Sequence, residues 1–193
     1  RAIGSLGIVS LQEITYLRRD GVSAVPGRLA ELAERGTVIR VGVEGTKRPY
    51  YALPRLLADD ANAPGHGASA PEPAARILSP FDPLVLSRRR LRELFGYSYT
   101  LECFLPQEKR KFGYFALPIL YGSRIAGIMD AKADRKRGKL LVKAIGMEPF
   151  VDRADGFSAA FESELREFAR FNGCAETEFS AEAARSLEVS PGH

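Results

Sequence analysis

In the first third of the chain apolar residues recur at intervals of three and four, the repeat of helices with one buried face. Ser10 is placed to cap a helix over "LQEITYLRR", with Leu11, Ile14 and Leu17 on one side and Gly21 as its stop. A second helix, "VPGRLAELAERG", carries Pro26 in its first turn and Gly36 just past its end, with Val25, Leu29 and Leu32 as its buried stripe. The period then shortens to two in "TVIRVGVEGTKRPYYAL", where Val38, Val41 and Val43 lead through a Glu-Gly-Thr-Lys turn to Tyr50 and Tyr51. The leading "RAIGSLGI" is read as the remainder of a preceding helix. Helix, helix and two-stranded hairpin is the order of a winged helix, assigned to residues 1–57.

Residues 58–77 are rich in Ala, Pro and Gly and are read as a linker. Residues 78–150 form a second domain. It opens with a helix capped by Asp82, with Pro83 at its first position and Gly96 at its end. Leu84, Leu91, Leu94 and Phe95 make its inner face, and Arg88, Arg89, Arg90 and Arg92 spread over the rest. From Tyr97 to Ile145 alternation predicts four strands, "YSYTLECFL", "GYFALPILY", "RIAGIMDAKAD" and "KLLVKAI", separated by "QEKRK", "GSR" and "RKRG". Connections this short require antiparallel neighbours, hence a meander that curls into a small sheet or barrel. Pro118 within the second strand marks an edge or a bulge. Residues 151–173 are one amphipathic helix bearing Phe157, Phe161, Leu165 and Phe168, and residues 174–193 read as a tail. The predicted class is α+β.

Composition adds little, but charge adds a great deal. With 45% hydrophobic and 27% charged residues the chain is of ordinary globular composition. No apolar run approaches the roughly 20 residues of a membrane span, so no membrane partner is expected. Cys103, Cys174, His66 and His193 are too few and too scattered for a zinc site, and neither a metal nor a cofactor is expected. The net charge of +4 is unevenly spread. Residues 1–57 hold nine cations and five anions, and residues 58–78 hold one and three. Residues 79–150 hold fourteen and seven, and residues 151–193 four and nine. A strongly basic block therefore precedes an acidic end, and the basic block looks for polyanions.

Within a winged helix the second complete helix enters the major groove and the hairpin follows the backbone. This makes Arg28 and Arg35 on that helix, and Lys47 and Arg48 at the hairpin tip, the expected contacts. The same fold also serves as a protein–protein module, and that alternative stays open. Of the helical arginines in the second domain, Arg88 and Arg89 are taken as contacts. In a strict meander the turns holding Lys109, Arg110 and Lys111 and Arg135, Lys136 and Arg137 fall at one end of the sheet, which gathers six cations at one rim. The competing reading is that these cations guard exposed sheet edges. Replacing Lys109, Arg110 and Lys111 together with Ala is expected to weaken DNA binding and leave folding largely intact. No catalytic residue is assigned. Asp59 and Asp60 lie in the linker, while Asp130 and Asp134 stand beside Lys132 and Arg135, where salt bridges are the expected use. No phosphate loop and no Ser/His/Asp set is present.

The stretch from Leu78 to Ile145 resembles the C-terminal half of the YcaQ/AlkZ-like family of bacterial DNA glycosylases. The resemblance is carried by "SPFDPLV" from Ser79, Arg88-Arg89-Arg90, "LFGYSYTLE", "KRKFGYFALPIL" and the run from Gly127 to Arg135. Two departures stand out. Ser87 precedes Arg88 where a Trp-Asp pair is expected, and Ile128-Met129 replaces a pair containing Arg. The resemblance implies tandem winged helices and a small β-barrel that bind duplex DNA through its phosphate backbone. It also implies metal-independent excision of alkylated or crosslinked bases, in base excision repair, by hydrolysis of the N-glycosidic bond. The family positions its water with a Gln-x-Gln or Gln-x-Asp motif nearer its N-terminus. Here Gln12 and Gln107 are the only glutamines, and each is followed by Glu. The chain starts at Arg1, so upstream winged helices are expected to be missing. The expected protein is a cytoplasmic, nucleoid-associated bacterial monomer. A non-enzymatic DNA-binding regulator, or a module whose basic rim meets an acidic partner or its own acidic end, remains the alternative.

Overall fold

The computed structural model describes residues 2–16, 19–56 and 72–188. Leu17, most of the linker with Asp59, Asp60 and His66, and His193 lie outside the described residues. The chain divides into two compact units, Arg1–Ala70 and Pro71–His193.

In the first unit, α1 (Ala2–Leu6), β1 (Val9–Ser10), α2 (Leu11–Thr15), α3 (Val25–Glu34), β2 (Ile39–Val41) and β3 (Tyr50–Ala52) follow in order. Ser10 caps α2 as its sequence predicts: the Glu13 carboxylate accepts from the Ser10 N–H at 2.7 Å and from its hydroxyl at 2.9 Å. The helix is shorter than the "LQEITYLRR" pattern predicts, because Tyr16 is already extended (ψ 130°). Helix α3 begins at Val25 with Pro26 in its first turn, as expected. The hairpin gains a third strand that alternation did not reveal. Val9 and Ser10 pair antiparallel with Tyr51 and Tyr50, giving the order β1-β3-β2. Val9, Leu29, Val38, Tyr50 and Ala52 are buried at the centre.

In the second unit a five-stranded sheet runs in the order β4 (Ala75–Ile77), β5 (Leu117–Tyr121), β6 (Arg124–Asp134), β7 (Lys139–Met147) and β8 (Glu176–Phe179). All neighbours are antiparallel except β7 and β8, which are parallel. Apolar layers cover both faces. One layer joins Ile119, Met129, Leu140 and Val142 to Phe157, Phe161 and Leu165 of α6 (Phe157–Phe171). The other joins Ile125 and Ile128 to Val85, Leu91 and Tyr99, brought by α4 (Pro83–Leu86), α5 (Arg88–Phe95) and the segment after it. Two-sided covering explains why β6 is apolar at consecutive positions from Ile125 to Met129 rather than at alternate ones.

The structure corrects several expectations. Tyr97–Leu105 is no strand. It is an extended run ending in a 3-10 turn at Glu102–Phe104, and its apolar residues alternate because Tyr97, Tyr99 and Leu101 lean on the second core without a ladder partner. The Tyr99 hydroxyl donates to the Ala116 carbonyl at 2.7 Å, which fixes that lean. The single helix expected from Asp82 breaks at Ser87, whose hydroxyl caps α5 through the Arg90 N–H. The last residues of the proposed linker are instead strand β4, with Ala75 buried. The tail is also structured: β8 and α7 (Ala181–Glu188) pack on β7, with Ser180 Oγ donating to the Lys143 carbonyl at 2.6 Å. Pro118 is not on an edge, since β5 lies between β4 and β6. A register shift between Ile119 and Leu120 supplies the bulge instead.

Candidate nucleic-acid interface

The twelve predicted cations meet very different surroundings. In the first unit, Arg28 is exposed on α3, and its guanidinium lies 2.6 Å from Glu31 in the next turn. Arg48 donates to the side-chain carbonyl of Gln12, which ties the hairpin connection to α2. Arg35 at the end of α3 and Lys47 in the hairpin connection are exposed, and neither has an ion pair among the described residues.

On α5 the arginines do not all face water. Arg88 is half-buried: its guanidinium carbon sits 4.4 Å from the centroid of the Tyr99 ring and it donates to the Val85 carbonyl. Arg90 points inward and is 7% exposed, whereas Arg89 is exposed. Burial pushes the phenols of Tyr97 and Tyr99 up to about 12, with Glu148 adding to the first shift and Arg88 opposing the second. Both rings are therefore neutral and serve as supports.

The Lys109–Lys111 stretch is the most elaborately built segment in the unit. A 3-10 turn at Gln107–Lys109 leads into it. Arg110 turns inward: its Nε donates to the carbonyls of Leu105 at 2.9 Å and Glu102 at 3.2 Å, and its guanidinium carbon lies 5.0 Å from the Tyr114 ring centroid. The next two backbone N–H groups, of Phe112 and Gly113, donate to the carboxylate of Glu102 at 2.9 and 3.1 Å. Glu102 is itself 7% exposed. The Phe112 ring fills the space where Gly146 has no side chain; a β-carbon there would stand 2.7 Å from it. Gly113 has φ 121° and lies against Asp130, whose Oδ2 would be 2.2 Å from any β-carbon. Arg110, Phe112 and Gly113 are thus fastened, while Lys109 and Lys111 on either side of Arg110 remain exposed without an ion pair among the described residues.

Asp130 does not pair with Lys132 as the sequence suggested. Its carboxylate is 3.9 Å from Lys143 on β7. Burial pushes its pKa up, and the Lys143 ammonium pulls it partly back.

The β6–β7 hairpin presents the other triad. Arg135 Nε donates to the Asn172 carbonyl at the end of α6, at 3.1 Å. Arg137 lies 3.2 Å from Glu178, which also holds Lys139 at 3.0 Å, and Glu176 is 3.6 Å from Lys139. All three are exposed, and Lys136 alone has neither an ion pair nor a side-chain hydrogen bond among the described residues. The meander that would bring the two triads to one rim is not formed. Phe112 and Gly113, which follow the first triad, lie against Gly146 and Asp130, and the hairpin that carries the second turns after Asp134, four residues along β6 from Asp130, or about 13 Å at strand spacing. The six-cation rim required "YSYTLECFL" to be a strand, and it is not.

Sequence reasoning overlooked Glu102. It stood at a polar position of an assumed strand, and its one signal was to be the only acid between Glu93 and Glu108 in an aromatic run. Among the described residues no three of His, Cys, Asp and Glu are grouped to hold a metal ion, and no helix is long and apolar enough to cross a membrane.

A family model described as DNA glycosylase AlkZ-like matches residues 1–171. The chain belongs to the AlkZ-like DNA glycosylase family. Membership brings a function related to DNA-repair glycosylases, and with it DNA binding. In this AlkZ-like chain the match spans all twelve candidate cations and stops at the end of α6, short of β8, which pairs with β7 of the hairpin, and of α7, which packs on it.

Proposed function

We propose that this AlkZ-like chain is the part of a DNA glycosylase that grips duplex DNA by its phosphates, with alkylated or crosslinked bases as the substrate class. The reading gives this chain the grip and no step of bond cleavage; the Gln-x-Gln or Gln-x-Asp motif that the resemblance expects would come from outside these residues. The first unit is read as a winged helix, in keeping with its helices and three-stranded sheet, and the second as a curled, barrel-like sheet with a C-terminal helix. The observation that carries the proposal is the Lys109–Lys111 loop. An inward Arg110 and a buried Glu102 hold its backbone so that two lysines project into water, a geometry that presents charge at fixed positions. Arg35, Lys47 and Lys136 are the further exposed cations assigned to phosphates.

The test is duplex affinity measured against salt. Each phosphate neutralised contributes about −0.9 to the log–log slope, so Lys109→Ala with Lys111→Ala should flatten it by about 1.8, equally for all sequences. An unchanged slope would refute the assignment. Arg110 is left intact here, because its removal would strip two carbonyls of their donor and loosen the loop.

One observation favours a restraint on this surface. Glu176 and Glu178 meet Arg137 and Lys139, so the acidic end of the chain covers part of the basic hairpin.

A further inference from the structure

Two aromatic side chains flank the fastened loop and are left in water. Phe104 is 85% exposed and Tyr114 is 58% exposed, while the backbone next to each is held, at Leu105 by the Glu102 carbonyl and at Gly113 by the Glu102 carboxylate. Arg110 connects them. Its Nε donates to the carbonyls on either side of Phe104, those of Glu102 and Leu105, and its guanidinium lies over the Tyr114 ring. Lys109 and Lys111 stand on the same short stretch, both exposed. Exposed large aromatic groups are unfavourable in water, and two of them beside three cations form a surface with a definite chemical preference. A flat ring carried on a negatively charged backbone satisfies both parts of it.

We propose that Phe104 and Tyr114 form a stacking platform for an unpaired nucleobase, with Lys109 and Lys111 taking the flanking phosphates. The proposal rests on the DNA reading above and adds a preference for bases out of the double helix. Paired bases offer their faces to one another and have none free for Phe104. A single-stranded stretch, or a base displaced from a duplex, has that face available. Arg110 already covers one face of Tyr114, which makes Phe104 the primary stacking surface and Tyr114 with its cation the side wall. The loop needs no rearrangement to do this, because Glu102 and Arg110 fix its backbone in advance.

The chain contains no tryptophan, so Phe104→Trp places a sole indole reporter on the platform. With a single-stranded oligonucleotide its fluorescence should be quenched, and with a fully paired duplex of the same length it should hardly change. Phe104→Ala in the full chain should weaken single-strand binding by roughly 5- to 150-fold, the range for losing one base–aromatic stack, with duplex affinity altered less than about 2-fold. Phe104→Trp should retain the affinity. Equal losses on single strand and duplex would overturn the proposal, as would an unquenched indole in the presence of saturating single strand. Self-association or thermal stability that shifts with Phe104→Ala while neither DNA affinity moves would assign the ring to a protein contact and overturn it as well. Failure of the phosphate reading shows separately, as a salt slope that Lys109→Ala with Lys111→Ala leaves unchanged.

Discussion

Glu102→Ala tests whether one buried carboxylate holds the cationic loop. Its Oε2 accepts from the Phe112 and Gly113 N–H groups at 2.9 and 3.1 Å, so the substitution removes two charge-assisted hydrogen bonds at once. Such bonds are worth about 1.5–3 kcal/mol each, and the amides are partly buried, so water recovers only a share. A loss of about 3 kcal/mol is expected, a large fraction of the 5–15 kcal/mol that typically holds a domain together. Glu102→Gln keeps an acceptor oxygen in place without the charge and should lose about half as much. Urea unfolding reads the global change, as a midpoint lowered by roughly 1.5 M for a slope near 2 kcal/mol/M. Native-state hydrogen exchange reads the local one: the Phe112 and Gly113 amides should lose protection ahead of those in β6. A Glu102→Ala loss below about 1 kcal/mol with both amides still protected would refute the clasp.

Gly113→Ala should cost about 3 kcal/mol or more by thermal melting, since φ is 121° and the new methyl would meet Asp130; adding Asp130→Ala should recover the steric part only. Asp130 gives a pH signature. Its folded pKa is raised above the ordinary 3.8, so its contribution to stability is fully present below that value and is lost as pH rises through the folded pKa. Asp130→Asn should therefore gain stability relative to the parent chain between pH 4 and 7, and parallel pH profiles of the two would show that burial does not dominate. Glu178→Gln should release Arg137, with Lys139 kept by Glu176, and steepen the salt dependence of DNA binding by about one unit, and an unaltered slope would place the hairpin away from the phosphates.

Much of the fold was legible where one residue settles a local choice. Ser10, Asp82 with Pro83, and Gly96 in its left-handed conformation (φ 64°) sit at helix boundaries in the structure as the sequence predicts. The errors came from period two read as proof of a strand. Tyr97, Tyr99 and Leu101 alternate toward a core, but nothing in their spacing says whether a neighbouring strand accepts their N–H groups. Strands of two to four residues such as β1, β4 and β8 are too short for any period to show. At the candidate site the sequence named Lys109 and Lys111 and missed their supports. Arg110 carries the same charge as its neighbours, and only the fold reveals that it faces inward. Glu102 and Gly113 are eleven residues apart and meet through a loop that a strand assignment had straightened.

The parallel pairing of β8 on β7 bears on where this protein can be cut. Lys139–Val142 find their outer partners in Glu176–Phe179, which lie after the last residue shared with the family model. A chain ended at Phe171 would keep every strand that the family match covers and yet leave β7 with a free apolar flank. Leu140 and Val142 would then border water, and the buried Cys174 and Ala183 would be gone from the layer beneath them. An unprotected strand of that kind recruits other chains. The useful boundary for expressing this unit therefore falls after α7, at residue 188, and not where the family likeness ends.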